Sequence, residues 1–224
     1  MVYLYFKNNN VDFDANINNI LRNYIFLLCL NSFYSKSTNQ KLQKNIDFCN
    51  DLLKGEKSLN QIKEHYWEDF GIKEIDSKIL LEKKFSKSDM LAKIICSFFF
   101  NINTLTDFYT GNRIDESKYD LHHLYPRNGY KEFKGIEKVI ESYANMSPID
   151  PKTNKAISNK KFSKYLVETE RNRNKKIKEE MLNNHFVDVE LWIKDDNWDD
   201  MKKALEDRAK KLANKLNKSF IKSF

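Results

Sequence analysis

Glycine and proline are scarce in this chain, with 5 Gly and 3 Pro among 224 residues. A barrel or sandwich of many short strands needs turn residues at its corners, so the scarcity excludes one and favours a mostly helical protein. Cysteine is equally sparse. Cys29, Cys49 and Cys96 are odd in number and widely spaced, and no CxxC pair offers a zinc knuckle or a redox couple. Each sits among apolar neighbours, as in Leu28–Cys29–Leu30, and reads as a small buried hydrophobe, which fits a reducing, cytoplasmic compartment. Long apolar runs are missing too. Ile25–Leu30 and Phe98–Phe100 fall far short of the ~20 residues of a membrane span, and Met1–Lys7 lacks the basic start and apolar stretch of a signal peptide. The expectation is a cytoplasmic protein with no membrane partner.

What is present supports a folded core. Apolar residues make up 41% and aromatics 13%, too many for a disordered chain, and ~150 residues already suffice to hide roughly 70% of the unfolded surface. Lys and Arg number 39 against 32 Asp and Glu, for a net charge of +7. From Pro151 onward there are 19 basic and 12 acidic residues, so the whole excess lies in the C-terminal third. That asymmetry suits an anionic partner; a solvated surface that keeps the chain in solution is the plainer reading.

Hydrophobic periodicity divides the chain. Residues 16–100 read as four helices. The first carries Ile17, Ile20, Leu21, Tyr24 and Leu28 on one face. The second places Leu42, Ile46, Cys49 and Leu53 on a stripe and stops at Gly55. The third runs from near Ser58 through Leu59, Ile62 and Tyr66 to Gly71. The fourth starts after Ser86 or Ser88 and buries Leu91, Ile94, Ile95, Phe98 and Phe99. After the turn signal Thr110–Gly111–Asn112, residues Tyr119, Leu121, His123 and Tyr125 alternate with Asp120, His122 and Leu124, which is strand periodicity, and Pro126 ends it.

A loop with a short helix at Ile136–Tyr143 then leads to a second strand at Ala144–Ile149. From Thr153, residues Ala156, Ile157, Lys160, Lys161 and Lys164 fit a helix with a basic side, continued by a charged helix to Lys178. The last helix, capped by Asp196 or Asn197, aligns Met201, Leu205, Ala209, Leu212 and Leu216. It is a core helix on that pattern, with a membrane-surface helix as the lesser alternative. The expected architecture is mainly α: a helical scaffold over 1–113, a strand–loop–strand–helix insertion over 114–167, and a basic helical segment over 168–224 packing on the scaffold.

Chemistry concentrates in the insertion. His122 and His123 are adjacent, and on a strand neighbouring side chains point opposite ways. One imidazole can then hold a metal while the other faces a different atom of the same substrate; the alternative is one exposed and one core histidine. Asn145 follows at the opening of the second strand and Asn154 at the start of the basic helix. His65 and His185 have no motif partners and read as structural, and Arg171 and Arg173 as ordinary surface.

A hairpin with His on its first strand and Asn on its second, closed by a helix bearing Asn, resembles the ββα-metal motif of HNH endonucleases. The blocks Asp120–Pro126, Tyr143–Ile149 and Thr153–Lys160 are similar in residues and spacing to the C-terminal nuclease half of GmrSD-like, modification-dependent restriction proteins. They cover about a fifth of the chain. The resemblance implies a metal-dependent endonuclease that hydrolyses DNA phosphodiester bonds to 5′-phosphate and 3′-hydroxyl ends, in restriction of foreign and modified DNA.

It implies His123 as general base, with the Asn145 position holding that ring, and His122 and Asn154 as ligands of a divalent ion. Asp120 is either a further ligand or the anchor of His122. Neutral ligands without thiolate favour Mg²⁺ or Mn²⁺, although imidazole also accepts Zn²⁺ or Ni²⁺. Lys160, paired with Asn159 in the third block, either contacts a DNA phosphate or is a solvated lysine. Proteins of this group carry a ParB-like nucleotide-hydrolysing half. Nothing in residues 1–115 resembles it, so the expected partner is DNA together with such a half supplied separately or lying elsewhere in a longer chain. The competing readings are a DNA-binding or interaction module with a vestigial site, and an RNA-directed HNH nuclease.

Overall fold

The computed structural model describes residues 38–57, 61, 74–102, 105–130, 132–133, 136–170, 179 and 182–220. The helices expected at Ile17–Leu28 and Ser58–Tyr66, and residues 171–178 of the charged helix, lie outside the described residues. Those described fold mainly as α-helix, with a single two-stranded antiparallel sheet among them. None of their helices is long and apolar enough to cross a membrane. The chain divides into two compact units, one of Met1–Ile75 with Leu216–Phe224, the other of Asp76–Lys215.

In the first unit, helix α1 (Thr38–Lys54) ends at Gly55, whose φ of 73° is the left-handed turn expected there. Its stripe is shifted from the expected one: Asn45 and Phe48 are buried, while Ile46 is 36% exposed. The buried Asn217 side chain accepts from the Ile75 backbone N–H at 2.8 Å and donates to its carbonyl at 3.0 Å, a two-sided clasp that no apolar pattern announces.

The second unit opens with α2 (Ser77–Glu82), capped by Asp76, an element too short to show periodicity. Helix α3 (Met90–Ile102) buries Leu91, Ile94, Ile95, Phe98 and Phe99 as expected. Its cap is neither serine. Asp89 Oδ1 accepts from the Leu91 N–H, whereas Ser86 and Ser88 bond each other.

Strand β1 (Asp120–His123) pairs antiparallel with β2 (Met146–Ile149), in a register that sets His122 opposite Ser147 and His123 opposite Met146. Between them lie a 3₁₀ turn at Arg127–Tyr130 and α4 (Glu137–Ile140). Ala144 and Asn145, expected in the second strand, form a 3₁₀ turn just before it.

Asp150 caps α5 (Pro151–Ile157), with Pro151 at its first position, so the helix starts earlier than Thr153. It also stops earlier than expected. Ser158 adopts φ 51°, turning the chain before α6 (Phe162–Glu170), so Asn159, Lys160 and Lys161 occupy a link rather than a helix face. Helix α7 (Val189–Trp192) precedes α8 (Trp198–Phe220). Asn197 Oδ1 accepts from the Asp200 N–H and caps α8, and its whole expected stripe from Met201 to Leu216 is buried.

Two buried features fix the hairpin. Tyr125, immediately after β1, stacks on Trp192 at 4.3 Å between ring centroids and meets Tyr130 and Phe162 edge-on. Arg208 of α8 is fully buried and donates to the carbonyls of Ala144, Met146 and His185. Burial pushes the Arg208 pKa down to about 9, which still leaves the guanidinium charged at neutral pH. It offers donors where the backbone entering β2 has carbonyls without strand partners.

Candidate functional site

The hairpin and α5 bring three of the expected side chains together. His122 Nδ1 lies 2.9 Å from Asn154 Oδ1, and Asn154 Nδ2 donates to Asp120 Oδ2 at 2.9 Å. Strand alternation sets Asp120 and His122 on the same face of β1, and the Asp150 cap with Pro151 starts α5 so that Asn154 falls one turn in. Asp120 therefore anchors Asn154 rather than His122, because the amide offers it a donor and the imidazole has already spent its Nδ1 on Asn154.

His122 is 4% exposed, and its Nε2 is buried without a partner. Burial pulls its pKa down to about 4, against a smaller upward pull from the Asn154 hydrogen bond. The ring is thus neutral at physiological pH and holds a lone pair for a ligand. The donor pair of imidazole nitrogen and amide oxygen, with the Asp120 carboxylate behind the amide, fits a hard or borderline divalent ion. In this structure the Nδ1 proton bridges the 2.9 Å to Asn154 Oδ1; an ion held by this pair would take that proton's place between the two atoms, with the ring's proton moved to Nε2. Among the described residues no three His, Cys, Asp or Glu side chains cluster for a metal; the set here depends on an amide.

His123 faces the other way, as strand alternation requires. Its Nε2 is buried without a hydrogen bond and lies 3.8 Å from Glu141 Oε1, which is also 3.8 Å from Arg127 Nη1. The ring is 30% exposed, so that exposure belongs to its other atoms. Burial lowers its pKa below the ordinary histidine value; Glu141 opposes the shift and Arg127 adds to it.

Among the described residues, no hydrogen bond joins the Asn145 side chain to either imidazole ring. It is fully buried, with Oδ1 accepting from the Tyr125 N–H and Nδ2 donating to the carbonyls of Tyr125 and Ile140, each at 2.9 Å. Its backbone carbonyl also accepts from the Leu124 N–H. The expected hold on the His123 ring is corrected to a hold on the backbone that follows His123. Both amide protons are spent on carbonyls, so the side chain has no donor left for an imidazole lone pair.

Lys160 and Asn159 stand apart from these groups. Lys160 pairs with Glu168 at 2.8 Å, and Asn159 is exposed, with its backbone oxygen packed where a Cβ on Gly129 would come within 2.8 Å. Among the described residues no hydrogen bond joins either to His122, Asn154 or Asp120. The reason is the early end of α5 at Ile157.

Three residues of the site, Asp107, Glu141 and Arg127, escaped sequence reasoning, while His185 has the structural place expected of it. Asp107 is fully buried and accepts from Tyr109, Thr110, Thr153 and the Asp150 N–H, tying the turn before β1 to the start of α5. An Asp three residues before a Thr–Gly turn signals such an Asx turn locally, but not its long-range partners. His185 donates from Nε2 to the Thr106 carbonyl and receives Ser147 Oγ at Nδ1, 2.6 Å away, so it props β2 from behind. Glu141 and Arg127 carry no local pattern at all.

Among known proteins, the chain is similar to a protein of Methanocaldococcus jannaschii described only as uncharacterized, with 30% identity over 169 residues. The match covers 71% of this chain and 28% of that protein, so the chain spans less than a third of its relative's length. No family model matches the chain, and no solved structure matches it.

Proposed function

We propose that this chain is a metal-dependent HNH endonuclease that hydrolyses DNA phosphodiester bonds. The observation that carries the reading is the meeting of His122, Asn154 and Asp120 where a two-stranded hairpin joins a short helix. The order and spacing of those residues support it from the sequence, as does the basic C-terminal third.

In this reading His122 and Asn154 hold a divalent ion, Mg²⁺ or Mn²⁺ in preference to Zn²⁺ or Ni²⁺, and Asp120 keeps the Asn154 oxygen aimed at it. A bound ion there supplies Lewis-acid polarisation of the scissile phosphate and charge compensation at the leaving 3′ oxygen. His123, neutral at pH 7, accepts the proton of the attacking water. With Nε2 turned inward toward Glu141, that carboxylate favours the proton on Nε2 and leaves the Nδ1 lone pair as the base. Asn145 fixes the chain beyond His123 and acts by positioning. A role in restriction of foreign DNA, with a ParB-like nucleotide-hydrolysing partner, rests on the resemblance alone.

The test is cleavage of supercoiled plasmid, unmodified and cytosine-modified, with Mg²⁺, Mn²⁺ or EDTA, by wild type and His123→Ala. Metal-dependent nicking or linearisation that falls by about 10²-fold or more in the variant, with Mn²⁺ affinity retained, is the expected result. Full activity in His123→Ala protein overturns the reading.

A further inference from the structure

Beside β1 lies a cavity of about 150 Å³ lined by Lys87, Ala92, Lys93, Cys96, Tyr119 and Leu121. Its floor is apolar, since Ala92 and Cys96 are buried faces of α3, and its wall is aromatic, since the Tyr119 ring packs against Phe100 at 5.0 Å. Its rim is basic: Lys87 and Lys93 are exposed and form no ion pair among the described residues. Among the described residues no carboxylate lines it. Burial raises the Cys96 thiol and pushes the Tyr119 hydroxyl up to about 12, so both are neutral at pH 7 and the two lysine charges stand unopposed.

Position gives the cavity its meaning. Leu121 is two residues from His123 on the same face of β1, which places the cavity wall ~7 Å along the strand from the proposed base. Duplex DNA advances ~3.4 Å per nucleotide on one strand, so that distance corresponds to about two nucleotides. A volume near 150 Å³ is about what accommodates one benzene-sized ring, too small for a base pair.

We propose that this cavity receives one unpaired nucleotide of the DNA within about two positions of the cut. Its base lies on the Ala92–Cys96 floor against Tyr119 and Leu121, and its phosphate sits between Lys87 and Lys93. The inference rests on the endonuclease reading and adds to it a subsite that unstacks the substrate next to the scissile bond. An apolar slot repays part of the unstacking cost, and the lysines add phosphate contacts that carry no sequence information.

The test compares wild type with the double variant Lys87→Glu/Lys93→Glu, whose exposed positions leave the core untouched. Fluorescein-labelled duplex is titrated in EDTA by anisotropy at several salt concentrations, and duplexes carrying 2-aminopurine at successive positions report unstacking. The expected result is a tenfold or larger loss of affinity in the variant and a salt dependence shallower by about 2 in log–log slope. 2-Aminopurine brightens on binding to wild type and not to the variant. Unchanged affinity overturns the proposal, as does brightening that survives the double substitution. If wild type neither binds nor cuts DNA, the endonuclease reading falls with it; if both proteins bind and cut equally, the subsite alone falls.

Discussion

The side-chain amide of Asn145 closes a clasp on the backbone of Tyr125, accepting from its N–H and donating to its carbonyl, both at 2.9 Å. Because Tyr125 is two residues past His123 and is itself pinned by stacking on Trp192, the clasp fixes the direction in which β1 leaves the site.

Asn145→Ala leaves the buried carbonyls of Tyr125 and Ile140 and the Tyr125 N–H without partners. Each such group costs about 1–3 kcal/mol, so the expected loss is roughly 3 kcal/mol or more. Asn145→Asp is expected to be worse, since it aims a buried carboxylate oxygen at two carbonyls. Urea midpoints in the order wild type, Ala, Asp check this; an Asp variant as stable as wild type contradicts the clasp.

The chain of contacts from His122 through Asn154 to Asp120 ranks three substitutions for metal affinity. His122→Ala and Asn154→Ala each remove a ligand and are expected to abolish measurable Mn²⁺ binding by calorimetry. Asp120→Ala removes only the group that aims the Asn154 amide, and a loss of 10–100-fold is expected. Asp120→Ala abolishing binding as fully as the other two would make its carboxylate a ligand in its own right.

Glu141 separates the base from the metal. Glu141→Gln removes the carboxylate facing His123 Nε2 and leaves the His122–Asn154 pair intact. The expected result is a 10–100-fold fall in the cleavage rate at pH 7 with unchanged Mn²⁺ affinity. Metal affinity falling in parallel contradicts the assignment of Glu141 to His123 alone.

The parts of this site that the sequence disclosed are those written in short spacings. Period-two alternation from Tyr119 to Tyr125 located β1, and the apolar stripe from Met201 to Leu216 located α8, because each pattern is imposed by a single burying surface. The end of α5 was not legible. Ser158 is not a usual residue for φ 51°, and without glycine there the basic residues through Lys164 read as one continuous helix. Partners distant in sequence were equally hidden. Asp107 reaches Thr153 and Asp150, and Arg208 reaches Ala144 and Met146, through hydrogen bonds that depend on the completed fold rather than on any local period. The hydrogen-bond partners of Asn145 and Asp120 were hidden for the same reason, since the atom that each amide or carboxylate meets is set by tertiary placement.

Two buried histidines make the stability of this fold sensitive to acid. His185 is fully buried, and its pKa is pulled down to about 4, by burial first and by the nearby Arg208 charge, against upward pulls from the Thr106 hydrogen bond and Asp107. His122 is lowered to about 4 as well, again by burial first. The unfolded chain titrates near 6.5, so between about pH 6.5 and pH 4 the unfolded state binds more protons than the native one. The contribution of each ring is complete above pH 6.5 and is lost as pH falls toward 4, by an amount on the order of 3 kcal/mol per ring. Urea midpoints measured in EDTA at pH 7, 6, 5 and 4 are expected to fall steeply across that window. His185→Gln cannot become charged and keeps a donor for Thr106 and an acceptor for Ser147, so it should lose a large part of the slope, the remainder belonging to His122 and to the less strongly lowered His123. A variant with the wild-type pH dependence would mean that His185 can be protonated within the native fold without cost, which its contact with the Thr106 carbonyl and its position beside Arg208 do not permit.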